Sequence, residues 1–319
     1  MSQVSENPFK YSDTNKRYHT YDYYLRHEYG EKCAKITLDA GLSCPNIDGT
    51  KGTGGCIYCS GGSAARTIDA LATIEEQYES QKRLMASKWS EVKRYIPYLQ
   101  AYTNTHTSPD KLRALLDRTA RLEGAVEVAV ATRADCLENE KIDILNDLSE
   151  RICVTLELGL QSSDDETAAL INRGHTYAEL EDAFFRLRAR APRVKIAIHI
   201  INGLPNENYE KMMKTAHTLA HLKPDIVKIH LLHVIDGTPL GAMYKRGEYT
   251  PLEMEEYVKI TCDQLEVLPP EVVIERITGD GERQTLLAPL WSLKKTAVIN
   301  EIDKELFRRG SYQGKKYNK

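Results

Sequence analysis

The chain has 319 residues, is 41% hydrophobic and 28% charged, and carries a formal net charge of −3. That composition fits one large globular domain with short additions, or two ordinary ones, and gives no overall basic signature, so a nucleic-acid partner would need a local patch. No run of about 18 apolar residues suggests a membrane span. Residues 1–15 lack an apolar signal core, so the expected compartment is the cytosol, where seven cysteines point to metal binding or catalysis rather than disulfides.

Taken in chain order, residues 1–20 read as a polar, aromatic-dotted arm, with a helix opening around Arg17–Tyr24 and running towards Gly30. Short apolar runs bounded by turn residues then predict strands at Cys33–Leu38, Tyr95–Thr103, Val126–Thr132, Ile152–Leu158, Val194–Ile201 and Ile226–Leu232. Helical periodicity falls between and after them, at Ile74–Met85, Pro109–Arg121, Glu140–Ser149, Thr176–Arg188, Asn208–His221 and Pro251–Leu265. Ser108 is a fitting N-cap and Pro109 a fitting first-turn residue. Six β/α repeats predict an α/β fold, a partial (β/α)6 TIM-type barrel with a short N-terminal arm and a C-terminal extension. The apolar stretch Val272–Ile277 can extend the sheet in a direction the sequence does not give. The expected division is 1–20 arm, 21–250 core barrel, and 251–319 helical and strand extension with a basic tail. From Trp291 to Lys319 that tail holds eight basic residues against three acidic ones. It reads as a phosphate-contacting segment or as a solvated helix face.

Three cysteines share one glycine-rich stretch after the first strand: Cys44, Cys56 and Cys59. Three thiolates are one short of a closed tetrahedral zinc site or a four-cysteine iron–sulfur site. Cys56-Ile57-Tyr58-Cys59 alone could be half a zinc site or a redox pair, and His175, His199, His230 or His233 could complete a set of ligands. Gly49, Gly52, Gly54 and Gly55 give the backbone freedom to wrap a metal centre. In barrels of this kind functional groups sit at the C-terminal strand ends. Asn104, Thr132, Gln161 and His199 fall at or just past such ends.

The strings KITLDAGLSCPNIDGTKGTGGCIYCS, YLQAYTNTH, TRADCL, LELGLQS, INRGHTY, HIINGLPNE and RITGDGERQTLLAPLWSLKK resemble the radical SAM superfamily, and within it the YtqA/YhcC-type family. The resemblance runs from about Lys16 to Gly314. Most radical SAM enzymes space their cysteines as Cys-x3-Cys-x2-Cys, whereas here eleven residues separate Cys44 from Cys56. A lengthened first spacing also occurs in the Elongator catalytic subunit. The resemblance implies a [4Fe–4S] cluster on Cys44, Cys56 and Cys59, its open iron binding S-adenosyl-L-methionine, which is reductively cleaved to a 5′-deoxyadenosyl radical. It places Tyr58 near the adenine, Thr103 and Asn104 near the methionine amino group, and Thr132 or Arg133 near the ribose or carboxylate. Gln161 and Arg173 match a ligand-binding Gln…Arg pair, with Arg173 on the SAM carboxylate. His199 stands where a ribose-binding aspartate is usual, and Glu157 could face the substrate. Both are candidate catalytic residues, although His199 could be a core histidine and Glu157 could pair structurally with an arginine. Cys136 and Cys153 read as core residues, and the scattered Cys33, Cys136, Cys153 and Cys262 support no second cluster.

YtqA-type members are associated with tRNA wobble-uridine modification. The implied MnmL-like reaction converts 5-carboxymethylaminomethyl-uridine to 5-aminomethyl-uridine in the anticodon loop, with an electron donor such as flavodoxin or ferredoxin. The alternatives are a radical SAM enzyme acting on another RNA or a small metabolite, and a non-catalytic metal-containing RNA-binding protein.

Overall fold

The computed structural model describes residues 7–61, 68–69, 71–87, 89, 91–279, 281 and 283–318. Residues 1–6 of the expected arm, Asp280 and Glu282 of the C-terminal string, and Lys319 of the basic tail lie outside them. The elements run α1 (Tyr21–Tyr29), β1 (Cys33–Leu38), α2 (Ile74–Ala86), β2 (Arg94–Leu99), α3 (Pro109–Ala120), β3 (Glu127–Thr132), α4 (Asn139–Ser149) and β4 (Cys153–Gln161). They continue with α5 (Asp165–Leu170), α6 (Tyr177–Arg190), β5 (Lys195–Asn202), α7 (Tyr209–Leu222), β6 (Ile226–Leu231) and β7 (Val234–Ile235). The last are α8 (Pro239–Lys245), α9 (Met254–Val267), β8 (Val273–Arg276), β9 (Leu286–Ala288) and α10 (Lys295–Arg308).

The strand order is β1-β2-β3-β4-β5-β6-β8, the order six successive β/α repeats produce, with β8 added at the end. The pairs β1–β2, β2–β3, β3–β4 and β6–β8 are parallel. The apolar stretch of undetermined direction thus joins as a parallel strand, Ile226 opposite Val273. The expected partial (β/α)6 barrel is the fold found, with a separate antiparallel pair of β7 and β9 that no sequence pattern announced.

Local chemistry sets the helix starts. Ser108 accepts from the Lys111 N–H with Pro109 at the first turn, as expected. Thr73 with Glu76 and Thr176 with Glu179 form full capping boxes. Helix α9 begins at Met254 rather than Pro251 because Glu253 and Glu256 close a capping box there. Strand β2 ends at Leu99, short of the expected Thr103, because Tyr102 turns the backbone into the left-handed region at φ 57°.

The chain forms two compact units. One lies within Met1–Tyr24, Gln161–Thr167 and His199–Lys319, the other within Leu25–Leu160 and Ala168–Ile198. In the second unit, Ile36, Leu38, Ile96, Leu99, Val128, Val130, Val154, Leu156 and Leu158 are buried. The strand period of two puts Lys35 and Thr37 on the face opposite Ile36 and Leu38, so one sheet face is apolar and the other carries charge.

In the first unit, α9 and α10 bury Tyr257, Leu265, Val298, Ile302 and Leu306. The Gln313 side chain ties the two termini together. Its amide donates to Pro269 and Val272 carbonyls at 2.7 and 2.8 Å, and its oxygen accepts from the His19 N–H at 2.9 Å. Much of the basic tail is paired with acids: Lys304 with Glu301 at 2.8 Å, Arg308 with Glu305 at 2.7 Å, Arg309 with Asp263 at 2.6 Å, and Lys316 with Glu266. Among the described residues no helix is long and apolar enough to cross a membrane.

Candidate functional site

The three cysteines lie on the segment that follows β1 in the second unit. Cys44 and Cys56 are half-buried and Cys59 is exposed. The eleven residues between Cys44 and Cys56 form a tight knot. Lys51 and Gly52 N–H groups donate to the Pro45 carbonyl at 2.9 and 3.0 Å, Gly49 to Gly52 at 3.1 Å, and Gly55 to Asn46 at 2.8 Å. Asn46 is the centre, 2% exposed. Its amide donates to the Asn172 carbonyl at 2.5 Å. Asn172 answers with its own amide, donating to Thr53 and Gly55 carbonyls at 3.1 and 2.7 Å, and Ile57 donates to Ile171 at 3.1 Å.

This clasp explains two glycines. A Cβ on Gly52 would collide with Asn46 Oδ1, and one on Gly174 would come within 2.8 Å of the same atom. Gly174 also needs its left-handed φ of 78°.

A second anchor is ionic. Lys51, in the knot, reaches the Asp135 carboxylate at 2.9 Å and its carbonyl at 2.5 Å. Arg133 grips the same carboxylate through Nε and Nη2 at 2.9 and 3.0 Å and donates from Nη1 to the Arg173 carbonyl at 2.6 Å. Burial works against Asp135's charge, but the Arg133 hydrogen bonds and charge hold its carboxyl below the usual range. His175 sits beside it, Nδ1 at 4.0 Å from Asp135 Oδ1, with neither ring nitrogen hydrogen-bonded among the described residues. Burial and the Arg173 and Arg133 charges push its pKa down to about 3, so the ring is neutral.

Burial pushes the Cys56 thiol up to about 11. Cys59 and Cys44 push it the same way, while the Tyr58 hydroxyl and the Arg133 charge oppose them. Both other thiols are therefore within electrostatic reach of Cys56. Among the described residues no three Cys, His, Asp or Glu side chains are already converged on one metal-sized point. In type and number the donors fit a three-thiolate centre, and binding it must displace their protons.

The remaining expected residues divide between the units. In the second unit Thr103, Asn104 and Thr132 are buried. The Thr103 N–H donates to the Ser43 carbonyl at 3.2 Å, next to Cys44. The Asn104 amide is spent on Leu99, Ala101 and Ala131 carbonyls at 2.9, 3.1 and 3.0 Å, leaving Oδ1 buried with no donor among the described residues. Thr132 pairs with Thr105 at 2.6 Å. The Arg173 guanidinium, 2% exposed, donates to the Leu160 carbonyl and, at 3.0 and 2.8 Å, to the His175 carbonyl. Arg133 is likewise occupied by Asp135 and a carbonyl. Glu157 is 1% exposed and meets the Lys35 ammonium and, at 2.5 Å, the Tyr98 hydroxyl.

Gln161 and His199 belong to the first unit. Gln161 ends β4 at φ 63°, and His199 has its ring 5.4 Å from that of His230. Next to Gln161, Ser162 donates to Glu207 at 2.5 Å, and burial raises the Glu207 carboxyl to about 7.

The sequence reading missed Lys35, Asn46, Asp135 and Asn172. Only Lys35 carried a signal, as a charge at an alternate position inside the apolar run CAKITL.

The Radical SAM superfamily model matches residues 47–219, and the Radical_SAM C-terminal domain model matches 224–308. The chain belongs to the radical SAM superfamily. The match takes in Cys56 and Cys59 and starts three residues after Cys44. Radical SAM enzymes use a [4Fe–4S] cluster and S-adenosylmethionine, which are therefore the cofactors of this chain. It is 44% identical to YtqA of Bacillus subtilis, over 98% of this chain and 96% of that protein. It is 34% identical to YhcC of Escherichia coli K12, over 90% and 91%. The tRNA uridine(34) acetyltransferase of Methanocaldococcus infernus is 33% identical over 49% of this radical SAM chain, which spans 29% of that enzyme. The solved structure of archaeal Elp3 from M. infernus shares the fold, with a TM-score of 0.67 at 19% identity, over 88% of this chain and 64% of the other.

Proposed function

We propose that this radical SAM enzyme modifies the wobble uridine of tRNA, converting the 5-carboxymethylaminomethyl group to 5-aminomethyl. The observation that carries the substrate class is the 33% identity with a tRNA uridine(34) acetyltransferase. Because so little of that enzyme is covered, acetyl transfer is not carried over. The likeness to YtqA and YhcC spans nearly the whole chain and supports a shared reaction within that family.

In this reading Cys44, Cys56 and Cys59 hold the cluster. The bound cluster and S-adenosylmethionine supply the hydrogen-abstracting chemistry. The protein's own groups position and move protons. Tyr58, whose hydroxyl lies by the Cys56 thiol, flanks the cofactor, together with Thr103, Asn104, Thr132, Gln161 and Arg173. Arg173 also holds the turn at Leu160 and His175 through its carbonyl partners. The Glu157 carboxylate, held between Lys35 and Tyr98, is suited to a substrate ammonium, and His199 to proton transfer. A small acidic electron-transfer protein such as flavodoxin or ferredoxin supplies the electron.

Mass spectrometry of nucleosides from tRNA of a strain lacking the gene tests the reading. The carboxymethylaminomethyl precursor should accumulate and the aminomethyl product should fall. Unchanged levels of both would overturn it.

A further inference from the structure

Tyr102 combines two properties that rarely occur together. Its backbone is left-handed at φ 57°, and the residue is 38% exposed. For a bulky residue that conformation costs roughly 1–2 kcal/mol, which glycine would not incur. An exposed ring recovers little of it through burial.

The conformation is imposed from both sides. On one side, the Gln100 N–H is tied to the Leu38 carbonyl at 3.2 Å and the Ala101 carbonyl to the Asn104 amide at 3.1 Å. On the other, the Thr103 N–H is tied to the Ser43 carbonyl at 3.2 Å and the Asn104 N–H to Ala131 at 3.1 Å. The hydroxyl lies 3.7 Å from where a side chain at Gly61 would begin, two residues after Cys59. A flat ring is thus carried on a fixed backbone past the C-terminal end of β2, one residue from the contact that fixes Ser43 next to Cys44. Backbone strain of this kind gathers at functional sites.

Resting on the tRNA reading above, we propose that Tyr102 is a substrate-binding residue whose ring stacks on the unpaired wobble base. A π-face suits a planar base, and single-stranded bases are commonly bound by aromatic stacking.

The test uses the full-length, cluster-loaded enzyme with two synthetic anticodon stem-loops, one with uridine at the wobble position and one abasic there. Wild type should bind the uridine RNA roughly ten- to a hundredfold more tightly than the abasic one. Tyr102→Gly should melt no lower than wild type, bind the uridine RNA as weakly as wild type binds the abasic one, and not distinguish the two. Tyr102→Phe should behave as wild type, and the dissociation constant for S-adenosylmethionine should be the same in all three proteins. Equal weakening of both RNAs by Tyr102→Gly, or a changed affinity for S-adenosylmethionine, overturns the stacking and leaves the tRNA reading standing. Wild type that binds neither stem-loop better than an unrelated hairpin overturns the tRNA reading, and the stacking with it.

Discussion

Lys35 on β1 and Glu157 on β4 form an ion pair that reaches across the two strands between them. Glu157 is fully buried and Lys35 half-buried, with side chains 0% and 17% exposed. Breaking a buried pair from one side leaves an uncompensated charge and costs about 3–5 kcal/mol, whereas replacing both partners is often close to neutral. Lys35→Met should therefore destabilise strongly in urea, and Lys35→Met with Glu157→Gln should recover most of the loss. If Glu157 also handles the substrate, the double variant will be stable and inactive. A stable double variant with full turnover would confine the pair to a structural role.

Gly174→Ala introduces a side chain in a left-handed position, 2.8 Å from Asn46 Oδ1. It should cost about 1–3 kcal/mol and lower the iron bound after reconstitution. Asn46→Ala removes the colliding atom, so the two substitutions together should cost less than their sum. Strict additivity in denaturant melts would sever the proposed link between these residues.

The Glu207 carboxyl is raised by burial to about 7, beside Ser162, Asp164 and Lys211. Its folded pKa lies above its unfolded value near 4.5, so its contribution is full below pH 4.5 and is lost as pH rises through 7. Wild type should lose melting temperature between pH 5 and 8, and Glu207→Gln should lose less over the same interval. Parallel pH profiles for the two proteins would count against a raised carboxyl.

Replacing Cys44, Cys56 or Cys59 singly by Ala should abolish the brown colour and the bound iron, while Cys136→Ala and Cys262→Ala should leave both intact. Iron retained at wild-type stoichiometry in any of the first three would falsify that residue's assignment as a ligand.

The sheet was legible because each core strand is a short apolar run; Cys33–Leu38 is found with the bounds the sequence predicts. The cysteine spacing was legible as donors, since thiolates on a glycine-rich loop are few and distinctive. The partners of the buried polar groups were not. Glu157 meets a lysine 122 residues away and Asn46 an asparagine carbonyl 126 residues away, pairings that exist only once the strand order is known. The overrun of β2 has a local cause. Nothing in YLQAYTNTH marks Tyr102 as left-handed, because three of the carbonyls that hold its neighbours, those of Leu38, Ser43 and Ala131, belong to other segments. The ion pairs of the basic tail were not legible in its composition, since its acids come partly from α9 and cannot be counted in a window along the chain.

The clasp on the cysteine knot also sets an order of events during synthesis. Lys51 waits for Asp135, 84 residues downstream, and Asn46 waits for Asn172. At the roughly 5–20 residues per second of translation, several seconds pass between emergence of the thiols and arrival of the segment that fixes their loop. Through that interval the cysteines ride on an unfastened glycine-rich strand, open to oxidation. Iron delivered after residue 175 has left the ribosome meets a shaped loop; iron delivered earlier meets three loose thiols.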